Sequence, residues 1–269
     1  MSHPPLTRRT RPTAFHDILS GAKLSKTWAF LSYQDLIARY RRSLFGPFWI
    51  AAVMGTQSLA LALVFGTIYN IDIKVFLPYV VAGLSIIGFI GCAFGLGSST
   101  FEIYKSLLLA HPLPISFHVF RMYCRHLIEF MHNILIFCIV CFICNGGINF
   151  SITFIPALLV ASVFIFSTTL ISATLSVRFA DFKFMLPHVW TIVFYFTPII
   201  WKTSQVRSGI EWVYMFNPIY YIVELLRSGM MGTPVSSSIW FGSLVTILCT
   251  SIVAYVLFSV MRKKITLWV

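Results

Sequence analysis

Acidic side chains are scarce in this chain. Asp and Glu fill 8 of 269 positions against 20 Lys and Arg, and charged residues together make up only 10%. A soluble domain carries roughly a quarter charged residues, because its outside faces water. With 58% hydrophobic residues, this chain matches a protein whose solvent is lipid. Eight scattered carboxylates also exclude the run of intramembrane acids that a proton-coupled transporter uses. Other chemistry is missing too. No G-x-x-x-x-G-K-[ST] phosphate loop, no H-E-x-x-H zinc site and no G-x-S-x-G nucleophile elbow occurs. No catalytic residue and no cofactor is therefore assigned to the chain, and the energy for its work is expected from a partner. The first 47 residues, with Arg8, Arg9, Arg11, Lys23 and Lys26, lack the apolar run of a secretory signal. The 6 cysteines imply no disulfide framework. Cys138, Cys141 and Cys144 are separated by Ile-Val and Phe-Ile inside an apolar run, so they read as packing residues rather than metal ligands.

What is present is a series of long apolar runs: 48–69, 75–97, about 127–144, 152–175, about 182–201 and 239–261. Each is long enough to cross a hydrocarbon core of about 30 Å at 1.5 Å per residue. The expected fold is all-α and integral to the membrane, with six transmembrane helices in one domain covering residues 1–269. Asn-Ile-Asp and Asn-Gly-Gly-Ile-Asn link the first two pairs of spans as tight hairpins. The formal charge of +12 sits at the ends and in short connectors rather than on one basic face, which argues against nucleic acid. Sixteen Lys and Arg fall on one side of the spans, and only Lys74, Lys202, Arg207 and Arg227 on the other. That bias puts both termini in the cytoplasm.

Two segments fit neither spans nor solvated loops. Between residues 29 and 44, Phe30, Tyr33, Ile37, Tyr40 and Leu44 recur at helical spacing, with Gln34, Asp35, Arg39, Arg41 and Arg42 on the other side. Gly46-Pro47 ends the pattern. This predicts an N-terminal amphipathic interfacial helix, basic face toward headgroups and water. The second segment, 202–237, is too apolar for a loop, and Asn217-Pro218 splits it with Asn as N-cap and Pro at the first helical position. Gly232 closes the second piece. Both pieces are too short to span, which predicts an outer re-entrant helix pair between helices 5 and 6. Glu224 and Arg227, three apart, can pair on one helix face.

Aromatic residues reach 16%. Trp190, Phe194, Thr197 and Trp201 form one stripe on the fifth run, and Gln57, Leu61, Phe65 and Tyr69 a drifting stripe on the first. Sugar rings pack their C–H faces on such rings, although the stripes taken alone are better explained by helix–helix or lipid contact. His126, Glu129 and His132 share a helix face, and the pairing of Arg125 with Glu129, four apart, accounts for them as an interfacial ion pair.

The string Gln34-Asp35-Leu36-Ile37-Ala38-Arg39-Tyr40-Arg41-Arg42-Ser43-Leu44-Phe45-Gly46-Pro47-Phe48-Trp49 resembles a motif of the membrane subunits of polysaccharide ABC exporters. Those proteins carry an aspartate and an R-Y-R-x-S-x-L-G-P-x-W run before their first span. Phe216-Asn217-Pro218 through Glu224 and Arg227 resembles their N-P-x-x-x-x-x-E-x-x-R element. One departure is Phe45, where Leu is common. The resemblance covers essentially the whole chain and is closest to O-antigen permeases, with capsule and teichoic-acid exporters also similar. It implies a homodimer in the bacterial inner membrane, docked on two ATPase subunits that bind ATP and Mg, exporting an undecaprenyl-diphosphate-linked glycan. It further implies roles for particular residues. Arg39, Arg41 and Arg42 would take up the lipid diphosphate. Glu102 and Lys105 in the loop 99–114, with Arg178 and Asp181, would contact the ATPase. Gln57, Phe65, Tyr69, Trp190, Phe194 and Trp201 would line a glycan conduit. Asn217, Pro218, Glu224 and Arg227 would belong to an outer gate.

Overall fold

A computed structural model describes residues 13–269; Arg8, Arg9 and Arg11 lie outside the described residues. Helices dominate, and no strand occurs among the described residues. Among the described residues, five helices are long and apolar enough to cross a membrane. The helix α1 (Ala14–Lys23) and α2 (Ser25–Arg39) precede the first span, α3 (Phe48–Tyr69). Asn70, in the left-handed region at φ 55°, ends α3, and Asp72 caps α4 (Ile73–Gly91) by accepting from the Lys74 amide at 2.8 Å. Asn-Ile-Asp thus makes the expected tight hairpin. A 3-10 turn at Leu96–Ser99 and two short helices, α5 (Thr100–Ile103) and α6 (Lys105–Ala110), lead into α7 (Ile115–Asn145). Then come α8 (Phe154–Arg178), α9 (Asp181–Phe196), the stub α10 (Trp212–Met215), α11 (Pro218–Met231) and α12 (Ser237–Trp268).

The predicted fifth span is shorter than its apolar composition suggests. The α9 helix has 16 residues and ends at Phe196. Thr197 precedes a proline and adopts φ −101°, ψ 132°, the extended conformation that proline imposes on its predecessor. Residues 197–202 continue as irregular chain. The predicted re-entrant pair is also asymmetric. Its first half contains only a 3-10 turn at Thr203–Gln205 and the four-residue α10, whereas α11 forms as expected. The Asn217 side chain accepts from the Ile219 amide at 3.0 Å, Pro218 opens the helix, and Gly232 closes it at φ 69°. Fourteen residues reach about 21 Å, less than a bilayer core.

Burial ranks the helices. Two thirds of the central window of the second span is buried, against about a fifth for α3, α7 and α12. The α4 helix is therefore the core, and α11 packs beside it against α8 and α12. A large apolar cluster joins α3, α4, α7, α8 and α11. A smaller one gathers Ala14, Phe101, Leu108, Val119, Leu170, Ala173, Phe258 and Ile265 where α1 and the last turns of α12 meet. This second cluster marks the basic end of the bundle. The α7 and α12 helices, with 31 and 32 residues, are about 46–48 Å long and project past the hydrocarbon core there.

Candidate functional site

At the basic end the interfacial helix is tied into the bundle. Arg121 of α7 grips Asp35 of α2 with both arms of its guanidinium, Nη2 to Oδ1 at 2.6 Å and Nε to Oδ2 at 2.8 Å. The Tyr104 hydroxyl, from the joint between α5 and α6, donates to the same carboxylate at 2.9 Å, and Arg121 stacks over the Tyr104 ring at 4.1 Å. Burial, reinforced by the Asp35 charge, pushes the Tyr104 phenol well above its ordinary value, so it stays a donor. Arg39 reaches Glu129 at 3.4 Å, and Glu129 also holds Arg125 at 3.6 Å and the His126 ring at 3.0 Å. The expected Arg125–Glu129 pair is present. His132 instead bonds the Ile128 carbonyl oxygen.

These contacts correct the reading of α2 in one respect. Asp35 faces α7 rather than water, along with the buried Ser32 and Leu36, while Arg39 is half exposed and reaches across to Glu129. Phe30 and Tyr33 remain exposed and free for lipid. The helix also stops at Arg39, so Arg41 and Arg42 lie exposed in a turn that runs to Gly46 at φ 53°.

The residues assigned to ATPase contact converge on one face of the same end. Lys183 of α9 bonds both oxygens of Glu102 at 3.0 and 3.1 Å, which joins the two predicted contact segments. Lys105 donates to the Val269 carbonyl oxygen, and Arg178 stacks over Trp268 at 5.0 Å. Asp181 opens α9 beside them. Sequence reasoning missed Asp17. Its carboxylate accepts from the Ser116 and Ile115 amides at 3.0 and 3.2 Å, capping α7, and pairs with Arg262 at 3.6 Å. Thr13, whose hydroxyl caps α1, was the available signal for that helix.

At the opposite end, Arg227 is 2% exposed and serves as a latch. Its Nη2 donates to the Pro198 carbonyl oxygen at 2.6 Å, and its Nη1 to the Tyr79 hydroxyl at 2.6 Å and to Glu224 at 3.3 Å. Tyr79 donates onward to the Trp201 carbonyl oxygen at 3.0 Å. Asn217 donates from Nδ2 to the Thr197 hydroxyl at 2.8 Å. The irregular 197–202 segment is thus held by side chains of α4 and α11, the condition under which non-helical backbone is tolerated at membrane depth. Tyr79 was missed by sequence reasoning, although it is the polar ring inside an otherwise apolar run.

Beside this latch, Phe65 and Tyr69 of α3 meet Phe194, Thr197, Ile199, Ile200 and Trp201 around a cavity of about 180 Å³. Two predicted aromatic stripes therefore share one wall. Three of their members, Trp190, Gln57 and Leu61, do not join it. Trp190 stacks on Phe94, with centroids 4.9 Å apart, over the gap left by Gly91. Gln57 is exposed on α3 and does not line the cavity.

A bundle of this kind, all-α and with five helices among the described residues long and apolar enough to cross a membrane, is that of a multi-pass membrane protein. Residues 27–231 match the ABC-2 type transporter family, and the chain belongs to it. It is thus a multi-pass permease component of an ABC transporter, of a family that implies an ABC ATPase partner. A search of curated proteins found no match.

Proposed function

We propose that the chain is the permease of an exporter that moves a polysaccharide linked to undecaprenyl diphosphate, O antigen being the favoured class, across the bacterial inner membrane. In this reading two permeases assemble with two ATPase subunits, which bind the ATP and Mg, and both termini face the cytoplasm. The observation that carries it is the cavity where Phe65, Tyr69, Phe194 and Trp201 come together from two helices. Aromatic rings together with the Tyr69 hydroxyl suit pyranose faces and their hydroxyls. The exposed Arg41 and Arg42, at the start of the first span, supply guanidinium forks for a diphosphate. In this reading the α11 latch beside the cavity, with Asn217, Pro218, Glu224 and Arg227 in it, acts as the outer gate.

The apolar wall of Ile199 and Ile200 favours a second reading, a lipid or drug substrate. The test uses the permease–ATPase complex in proteoliposomes, with ATP hydrolysis measured against added lipid-diphosphate glycan and against the same lipid diphosphate without sugar. Stimulation that requires the glycan, and that falls in Arg41→Ala with Arg42→Ala, is expected. Equal stimulation without sugar supports the second reading, and unchanged stimulation in the double variant removes lipid capture by the turn.

A further inference from the structure

A second cavity, of about 270 Å³, opens beside the latch at the end of the bundle away from the α1–α12 cluster. Tyr79 of α4 lines it, with Lys202 and Ser204 from the segment before α10 and Glu224, Arg227 and Ser228 from α11. It shares no lining residue with the aromatic cavity. We propose that it is a binding site for the phosphate of a membrane-lipid headgroup, with Lys202 and Arg227 as its cations. The site does not depend on which substrate the permease carries.

Three observations support it. The first is charge. Two cations and one carboxylate line the cavity, which leaves one positive charge unbalanced. Glu224 accepts from Arg227 at 3.3 Å. Lys202 forms no ion pair among the described residues, and its ammonium stands 5.4 Å from the centre of the Tyr79 ring. The negative face of that ring attracts the ammonium without neutralising it. The second is unused donors. Arg227 is 2% exposed, and its Nε donates to no described residue, although Nη1 and Nη2 are both engaged. The Ser204 and Ser228 hydroxyls form no hydrogen bond with another described residue either. Phosphate oxygens accept from this set of ammonium, guanidinium and hydroxyl donors. The third is position. Tyr79 stands about 9 Å along α4 from Ile73, near the zone where the hydrocarbon core gives way to headgroups. Val75, one turn earlier on the same face of α4, is exposed, and Met231 lines the cavity. A phosphate bound here has apolar surface beside it for acyl chains, which a soluble anion cannot use.

The experiment takes the full-length permease, stripped of lipid in an uncharged detergent, and measures bound lipid by native mass spectrometry across a titration. The probes are phosphatidylglycerol and phosphatidylcholine with matched acyl chains, the second carrying a choline that balances its phosphate. Phosphatidylglycerol should bind more tightly, and Lys202→Gln should weaken it about fivefold while leaving phosphatidylcholine unchanged. Raising salt should weaken it as well. Glu224→Gln removes the competing carboxylate and should strengthen binding, the opposite sign to a general loss of structure. Lys74→Gln removes a cation at the same end but outside the cavity, and should change little. Equal affinity for the two lipids, equal losses in Lys202→Gln and Lys74→Gln, or weaker binding in Glu224→Gln overturns the site. Competition identifies the source of the phosphate. Inorganic phosphate that displaces phosphatidylglycerol at equal concentration overturns the lipid assignment. Displacement by undecaprenyl diphosphate supports the site with a polyprenyl carrier as its occupant, and failure to displace supports it with a resident phospholipid.

Discussion

The clearest test of the physical account is the fork between Asp35 and Arg121. Exposed ion pairs contribute about 0.2–1 kcal/mol, but these side chains are only 20% and 12% exposed, and the carboxylate receives three hydrogen bonds. Asp35→Ala leaves the Arg121 guanidinium partly buried beside Arg125 with no acid of its own, at a cost of about 3 kcal/mol. Arg121→Ala strands Asp35 with only the Tyr104 hydroxyl and should cost about the same. Because both variants break one interaction, the double variant should cost well under the sum, with a coupling of about 2 kcal/mol. Unfolding in mixed detergent micelles, followed through the 7 tryptophans, gives the four stabilities of the cycle. Single-variant effects that add within about 0.5 kcal/mol would refute the reasoning. The cycle has a functional arm as well. Tyr104 links the same carboxylate to the α5–α6 joint, so Asp35→Ala should lower export per ATP hydrolysed in the complex, and an unchanged ratio would show that the tie is structural only.

Arg227→Ala should destabilise the protein by about 3 kcal/mol or more, because the Pro198 carbonyl and Tyr79 hydroxyl lose their buried charged partner. Glu224→Gln should cost only about 1 kcal/mol, since Arg227 keeps those two contacts; equal losses in the same unfolding assay would contradict the latch. Gly229→Ala should cost about 1–3 kcal/mol, because a Cβ there would stand 2.7 Å from the Phe154 Cα and force α11 off α8. Gly88→Ala, with nothing within 4 Å of the added atom, is the matched control and should lose nothing. Phe65→Ala and Trp201→Ala should reduce glycan export in a vesicle export assay by more than their loss of stability accounts for. Trp190→Ala should instead lower stability, since that ring packs on Phe94, and the reverse pattern would relocate the conduit.

Much of this architecture was legible because lipid, as solvent, leaves few choices. Runs of about 20 apolar residues have to be helices, and their turns have to satisfy the freed backbone groups. Asn70, Asp72, Asn217, Pro218 and Gly232 announced their caps for that reason. The early end of α9 was obscured because Ile199, Ile200 and Trp201 continue the apolar run past Pro198, and hydropathy does not register the conformation that a proline imposes on its neighbour. The polar ties were harder. Asp35 and Arg121 are 86 residues apart, and Tyr79 and Arg227 148 apart, so no periodicity relates them. For the candidate site, the stripes identified aromatic residues by helix face. Whether a ring meets the cavity or a neighbouring helix depends on features such as the space over Gly91, which determined the place of Trp190.

The latch also bears on how the protein is made. The carbonyls of Pro198 and Trp201 find their donors on Arg227 and on Tyr79, and one of those donors is synthesised some 29 residues later. A nascent chain that has threaded α9 but not α11 therefore holds the Pro198 carbonyl without its Arg227 donor, at a depth where water is scarce. At elongation rates of about 5–20 residues per second, that state lasts a few seconds for every molecule. The insertion machinery or an annular lipid headgroup has to shelter residues 197–202 during that interval. A stop or a stall just after Trp201 would expose them indefinitely and mark the fragment for membrane proteolysis.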